Sequence, residues 1–326
     1  MSKEIIFSGI QPTGPLHLGN FLGAVKNWLD LQNKDKYQCI FSIVDLHSLT
    51  GNLGPLERRK QTLRLAAELL ALGLDPKKSV FFVQSAVPEH TELAWIFSTV
   101  TPVAELQRMT QFKDKSAAQN KNINAGLLTY PILQAADILL YQATRVPVGR
   151  DQVQHIELTR DIARGFNRRY KKYFVETKPL LTDSPRVMSP LAPEKKMSKS
   201  LGEGHVINLD DDSQVVAGKI KKAVTDSGAA LAPGVANLML LLKNFADKAT
   251  YEQFVRAGYA GTIRYGDLKA IVAENISLRF SDFREKKKDW LADEKKLKAI
   301  LDEGAQKARV RAKETMAEVR EIVGLL

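Results

Sequence analysis

Cysteine is nearly absent from this chain, with one, Cys39, in 326 residues. It sits within the apolar run Tyr37-Gln-Cys-Ile-Phe-Ser-Ile-Val44 and reads as a buried strand residue, so there is no disulfide framework and no cysteine-built zinc site. The five histidines, His17, His47, His90, His155 and His205, show no metal-ligand spacing, and no protein-bound metal is expected. No uninterrupted apolar run is long enough to cross a bilayer, and Met-Ser-Lys-Glu-Ile-Ile at the N-terminus lacks the layout of a signal peptide. The expectation is a cytoplasmic protein with no membrane partner. Repeats and low-complexity tails are missing as well.

What remains is ordinary globular material, 44% hydrophobic and 26% charged, in a length that suits one large domain or two of common size. Lys and Arg outnumber Asp and Glu by 48 to 37, a net charge of +11. Such a balance suits a polyanion such as RNA, although basic proteins without one are common.

The first half alternates strand and helix patterns. Strands are predicted at Ile5–Ser8, Cys39–Val44, Val80–Val83 and Arg145–Val148, with helical stretches such as Pro55–Leu72 and Leu127–Tyr141 between them. Alternation of this kind, with strands apolar on both faces, predicts an α/β fold with a doubly wound parallel sheet. From Lys178 to Lys196 the pattern becomes a Pro- and Ser-containing loop. Beyond His205 it is helical: Asp212–Val224, Gly234–Phe245, Tyr251–Ala257 and Tyr265–Leu278, then a highly charged stretch from Phe280 to Val323.

Two short stretches carry the chemistry. Gln11-Pro-Thr-Gly-Pro-Leu-His-Leu-Gly-Asn20 follows the first strand and opens an amphipathic helix holding Phe21, Leu22, Val25, Trp28 and Leu29. A strand, a glycine-rich turn and a helix N-terminus form a phosphate-binding arrangement. The turn is neither the Gly-x-Gly-x-x-Gly fingerprint nor a Walker lysine loop. His17 and Asn20 would supply side-chain donors beside free backbone N–H groups near Gly19, where charge develops during in-line attack on a phosphate. The second stretch, Lys196-Met-Ser-Lys-Ser200, is a lysine loop able to meet the same phosphates. Lys113 and Lys115 either assist or belong to an exposed helix face.

The helix Leu127–Tyr141 is apolar nearly all round, yet Tyr130, Gln134, Asp137 and Tyr141 fall on one polar stripe. A buried carboxylate needs a partner. Asp137 either pairs with an arginine such as Arg108 or Arg145, or awaits a donor from a ligand.

The turn and the lysine loop, in this order, resemble the His-Ile-Gly-His and Lys-Met-Ser-Lys-Ser signatures of class I aminoacyl-tRNA synthetases. The resemblance sharpens at Tyr130-Pro-Ile-Leu-Gln-Ala-Ala-Asp-Ile-Leu-Leu-Tyr141 and Val146-Pro-Val-Gly-Arg-Asp-Gln-Val-Gln-His155, which look like bacterial tryptophanyl-tRNA synthetases. Phe7-Ser-Gly-Ile-Gln-Pro12, Val44-Asp-Leu-His-Ser-Leu-Thr50, Arg108-Met-Thr-Gln-Phe-Lys113 and Pro233-Gly-Val-Ala-Asn237 agree with it.

That resemblance implies a Rossmann-type catalytic domain over residues 1–204 and a helical C-terminal, anticodon-binding region over 205–326. It implies ATP-dependent activation of L-tryptophan and its transfer to tRNA(Trp), with Mg²⁺ held mainly by the ATP phosphates, in a homodimer. Asp137 would accept the indole N–H. Phe7, Gly9, Gln11, Val44, His47, Gln134, Val146, Val148 and Gln152 would line the rest of the tryptophan site. ATP would lie against Gln11, Pro12, Thr13, Gly19, Asn20, Gly149, Arg150, Asp151, Val187, Lys196, Met197, Ser198, Lys199 and Ser200. Lys196 and Lys199 would neutralise the departing pyrophosphate.

Three positions depart from the family pattern: Gln134 for a common methionine, Arg150 for a usual glutamate, and Ala104 for a common glycine. The alternatives are a tyrosyl-tRNA synthetase, whose archaeal and eukaryotic forms share the pattern of Tyr130, Gln134 and Asp137; an inactive synthetase-like RNA-binding or regulatory protein; and a small-molecule adenylate-forming ligase. Phe7 and Lys199 speak against tyrosine, and the surviving lysines and aspartate against inactivity. The Phe166–Phe174 stretch, rich in Arg, Lys and aromatic rings, is either an RNA platform or the solvated end of a helix with its rings packed inward.

Overall fold

A computed structural model of the chain describes residues 3–109, 124–149, 153–182, 185–225 and 232–326. Contacts divide it into two compact units. The first comprises residues 1–14, 27–183 and 290–326, the second 15–26 and 184–289.

The first unit is built on five parallel strands: β1 (Glu4–Ile10), β2 (Tyr37–Ile43), β3 (Ser79–Val83), β4 (Arg145–Val148) and β5 (Lys178–Leu181), in the spatial order 3-2-1-4-5. This is the doubly wound order, in which the topology reverses between β1 and β4. The ladder is full between β1 and β2, from Glu4↔Tyr37 to Ile10↔Ile43. Between β1 and β4 it is reduced to Ile6↔Arg145, with Thr144 N–H donating to Ile5 O at 2.9 Å. A doubly wound sheet binds ligands at the carboxyl ends of such a pair. Those ends carry Gly9 and Gln11 on one side and Val148 and Gly149 on the other.

The four predicted strands are present, each within two residues of its expected bounds, and β5 was not foreseen. Pro179 lies inside β5, which a proline tolerates because the strand is at the sheet edge and ends exposed at Leu181. Buried side chains from both faces close the core: Trp28 stacks on Phe41 with centroids 4.5 Å apart, and Phe97, Phe166 and Phe174 meet edge to face. The Phe166–Phe174 stretch is the solvated end of a helix whose two phenylalanine rings pack inward while Tyr170 is exposed and Tyr173 half-buried. Phe166 and Phe174 are buried, while Arg168, Lys171 and Lys172 are exposed.

The charged C-terminal stretch forms two helices, Ser281–Ala292 and Glu294–Val323, separated where Asp293 caps the second by accepting Lys296 N–H. The long helix belongs to the first unit, so the compact units do not divide at residues 204 and 205. Its small residues explain this. Gly304 lies so close to β3 that a Cβ there would be 1.7 Å from Phe81 O, and Ala305, Ala308 and Ala312 are buried beside it. Arg309 pairs with Glu89 at 3.2 Å and Arg320 with Glu92 at 2.6 Å. In the second unit the helices Ser213–Lys221, Pro233–Phe245, Lys248–Tyr259 and Tyr265–Arg279 gather round Phe21, Phe245 and Phe280, with Phe21 edge-on to Phe280 at 5.0 Å.

Candidate active site

The second unit contains the Pro15–Asn20 part of the first predicted phosphate-binding motif and the whole of the lysine loop; Gln11–Gly14 belong to the first unit. Leu18 N–H donates to Ile207 O and Leu209 N–H to Leu16 O, at 3.0 and 2.9 Å, so the His17 segment is stapled antiparallel to the chain just beyond the lysine loop. His17 and Asn20 cap one another: His17 Nδ1 accepts Asn20 N–H at 3.3 Å and Asn20 Oδ1 accepts His17 N–H at 3.2 Å. The backbone donors expected to be free near Gly19 are therefore partly spoken for, since those of Leu18 and Asn20 have protein acceptors. With Nδ1 accepting, the neutral His17 ring carries its proton on Nε2, the nitrogen left to face a ligand. Gly19 is where the ring rests, for a Cβ there would be 2.9 Å from His17 Cε1. The helix then runs as a π-turn over Phe21–Val25, a form common at functional sites.

His17 is held at a pKa of about 4, first by burial and then by the charges of Lys199 and Lys196. It therefore stays neutral at physiological pH, a hydrogen-bond donor rather than a third cation. The unfolded chain takes up this proton near 6.5 and the folded one near 4, so between those values the unfolded state holds more protons and stability falls as pH falls. Denaturant unfolding across that window should show a smaller loss for His17→Gln than for the unaltered protein. Equal losses would mean that His17 is not held neutral by its surroundings.

The lysine loop has a fixed base. Met197 is buried and its N–H donates to Val187 O at 3.0 Å; Ser189 N–H donates to Lys195 O at 2.8 Å. Asn237 clamps the neighbouring backbone, its Oδ1 accepting Met188 N–H at 2.9 Å and its Nδ2 donating to Met188 O at 3.0 Å. Ser189 Oγ meets His205 Nδ1 at 2.8 Å. Sequence reading noted the Pro233–Asn237 motif without a role for it. Gly234 supplies part of one, because a Cβ there would be 1.9 Å from Val224 O. Lys196 is exposed and Lys199 half-buried, and Ser198 Oγ caps the turn that follows by accepting Ser200 N–H.

The first unit holds the other predicted group. Asp137, on the helix Ala125–Leu139, is 1% exposed. It pairs with neither proposed arginine: Arg145 bonds Glu4 at 2.8 Å and Arg108 bonds Glu105. Its donors come instead from elements far away in sequence. His47 Nε2 lies 2.9 Å from Oδ2, Gln84 Nε2 donates to Oδ1 at 2.6 Å, and His90 Nδ1 lies 2.6 Å from Oδ1, too bent for a good hydrogen bond. Burial alone would raise this carboxyl, but the two histidines outweigh it and hold the pKa at about 2. Asp137 is an ionised, buried acceptor.

Phe7 on β1, Val146 and Val148 on β4 and Val44 just past β2 are buried, and Phe7 lies flat on Tyr141, centroids 5.6 Å apart. Gly9 is exposed, and a Cβ there would strike Val44 Cγ1 at 2.6 Å. Gln134 is half-buried one turn before Asp137. Tyr130 uses its hydroxyl on His155 Nε2 at 3.0 Å. A separate surface cavity of about 490 Å³ touches only His47 and Tyr130 of the polar group, and is rimmed by Leu49 and Trp95, 55% and 73% exposed. Lys113, Lys115, Arg150, Asp151 and Gln152 lie outside the described residues. Sequence reading missed Gln84 and His90, whose contact with Asp137 leaves no local signature.

A doubly wound sheet with a buried polar group around Asp137 that draws on the turns after β2 and β3, and a helix start stapled beside a lysine loop, describe a class I aminoacyl-tRNA synthetase. The chain belongs to the tRNA synthetases class I (W and Y), whose family model matches residues 2–281. Within that family it stands with the bacterial tryptophan enzymes. It is 44% identical to the tryptophan--tRNA ligase of Helicobacter pylori over the whole of both chains, and 44% identical to that of Clostridium tetani over all of this chain and 97% of the other. It is also similar to the structure of tryptophanyl-tRNA synthetase from Campylobacter jejuni complexed with ADP and tryptophan. There the TM-score is 0.85 at 36% identity, covering 98% of this chain and 100% of that one.

Proposed function

We propose that this enzyme activates L-tryptophan with ATP and transfers it to tRNA(Trp). The observation that carries the reading is Asp137, an ionised acceptor sealed from water. A buried anion of this kind is costly unless donors surround it, and its remaining lone pair suits the one N–H of an indole ring. Phe7, Gly9, Gln11, Val44, His47, Gln134, Val146 and Val148 line the ring and backbone of the substrate, with Gln152.

In the first step a carboxylate oxygen of tryptophan attacks the α-phosphorus of ATP, the bond to the β-phosphate oxygen breaks, and pyrophosphate leaves with the electron pair. Lys196 and Lys199 meet the negative charge on the leaving group, while His17 Nε2–H and the Asn20 amide donate to phosphate oxygens. Gln11, Pro12, Thr13, Gly19, Gly149, Val187, Met197, Ser198 and Ser200 form the nucleotide's surroundings, with Arg150 and Asp151; Lys113 and Lys115 assist at the phosphates. No covalent enzyme intermediate is needed, since positioning and electrostatics suffice for such transfers. Mg²⁺ would enter with ATP, held mainly by its phosphates, and would neutralise part of their charge. In the second step a hydroxyl of the terminal tRNA ribose attacks the carbonyl carbon, and AMP departs.

The helical region from residue 205 carries the anticodon contact. The enzyme works as a cytoplasmic homodimer. Among the described residues no helix is long and apolar enough to cross a membrane. Charging assays with tRNA(Trp) and tRNA(Tyr) transcripts test the reading. Tryptophan should be esterified to the first alone, and charging of tRNA(Tyr) with tyrosine would overturn it.

A further inference from the structure

Asp137 has more donors than recognition of one N–H requires, and their arrangement assigns them work. Gln84, fully buried in the turn after β3, accepts Leu46 N–H on Oε1 at 3.2 Å. That contact turns its amide so that Nε2 faces Oδ1 of Asp137. His90 is fully buried, with Nε2 2.8 Å from the Tyr141 hydroxyl and Nδ1 directed to Oδ1. The phenol of Tyr141 is buried and lies one helical turn beyond Asp137, stacked on Phe7. The hydroxyl and Nε2 hold one another, which fixes the imidazole ring beside the carboxylate.

A carboxylate offers about four lone-pair directions. Gln84 occupies one on Oδ1, His90 Nδ1 stands 2.6 Å from the same oxygen off good hydrogen-bond geometry and closes its other side, and His47 lies on one of Oδ2. We propose that Gln84 and His90 are positioning residues for substrate selection: they take up Oδ1 and fix the carboxylate plane, so that Oδ2 alone meets the substrate's ring N–H. The inference rests on Asp137 being the ring acceptor. A merely structural network would tie the sheet to the helix and leave selection untouched. Here, by contrast, the network sets the direction of the one free lone pair, and Tyr141 couples that direction to Phe7.

The test compares L-tryptophan with its isostere 3-benzothienyl-alanine, in which sulfur replaces the ring N–H, by ATP–pyrophosphate exchange. Variants are Gln84→Ala, His90→Leu, His90→Asn and Tyr141→Phe. In the first two the preference for tryptophan, as a kcat/KM ratio, should fall by about tenfold, the scale of one lost hydrogen bond. KM for ATP should not change. His90→Asn can return a donor near the Nδ1 position and should restore part of the preference. Tyr141→Phe keeps the stacked ring, is the mildest change to folding, and should cost a smaller part. Variants that fold and exchange with the unaltered preference would overturn the positioning role. Failure of the unaltered protein to exchange with tryptophan would overturn the function itself, and this inference with it.

Discussion

Replacing Lys199 by alanine should lower the rate of tryptophanyl-adenylate formation by about 10²–10³, the usual consequence of losing one well-aimed donor to transition-state charge. The size follows from what the substitution leaves intact. The loop is held by the Met197 N–H bond to Val187 O, by the burial of Met197, and by the Asn237 clamp on Met188, none of which involves the Lys199 side chain. The variant therefore loses a charge without losing its frame. KM for tryptophan should barely move, because Asp137 and its partners belong to the other compact unit. A second readout follows from His17. Burial and the two lysines hold its pKa at about 4, so removing one of them should let it rise toward 6.5, measurable by NMR titration. A variant that kept its full adenylation rate would remove Lys199 from the chemistry, and an unmoved His17 would contradict the electrostatic coupling.

Asp137→Asn should be nearly as damaging, and in another parameter. The substitution preserves shape and one acceptor, but it replaces a carboxylate oxygen by an NH₂ group. Whichever way the amide turns, that NH₂ meets a donor: Gln84 Nε2 on one side, or His47 Nε2 and the ring N–H on the other. A lost hydrogen bond to a charged group is worth about 1.5–3 kcal/mol, so kcat/KM for tryptophan should fall by about 10–100-fold, mainly through KM. A site that uses a ring donor is expected to reject phenylalanine by about 10⁴–10⁵, and that margin should shrink by the same factor. Asp137→Ala would confuse this result, because the buried His47 and Gln84 would lose their acceptor together, with His90 beside them, and the protein would be destabilised. Unchanged discrimination in a folded Asp137→Asn protein would dispose of the indole contact.

Much of the fold and the main groups of the candidate site were legible in the sequence, and the limits have physical causes. β2 and β3, buried along nearly their whole length, appear as apolar runs, and β1 and β4 as short ones, so all four were found; β5, exposed at both of its ends, carries no such pattern. Asp137 was conspicuous as a lone carboxylate on an apolar helix. Its partners were not, for Gln84 and His90 lie just after β3, and only the parallel topology brings that strand end to the helix. The electrostatic guess of an arginine partner failed because both arginines had nearer carboxylates. His17 and Asn20 were found by motif, yet their mutual capping depends on backbone geometry that residue types do not reveal. The C-terminal helix was read by its charges. Gly304, Ala305, Ala308 and Ala312, spaced along one face, were the signal that it approaches a sheet.

ATP–pyrophosphate exchange by the purified protein, without tRNA, with tryptophan, tyrosine and phenylalanine in turn, puts the acceptor role of Asp137 and the phosphate role of the lysine loop to trial together. Exchange with tryptophan alone is the expected result. Exchange with tyrosine would mean that Gln134 and Asp137 frame a phenol, and no exchange with any of the three would mean that the motifs no longer perform adenylation.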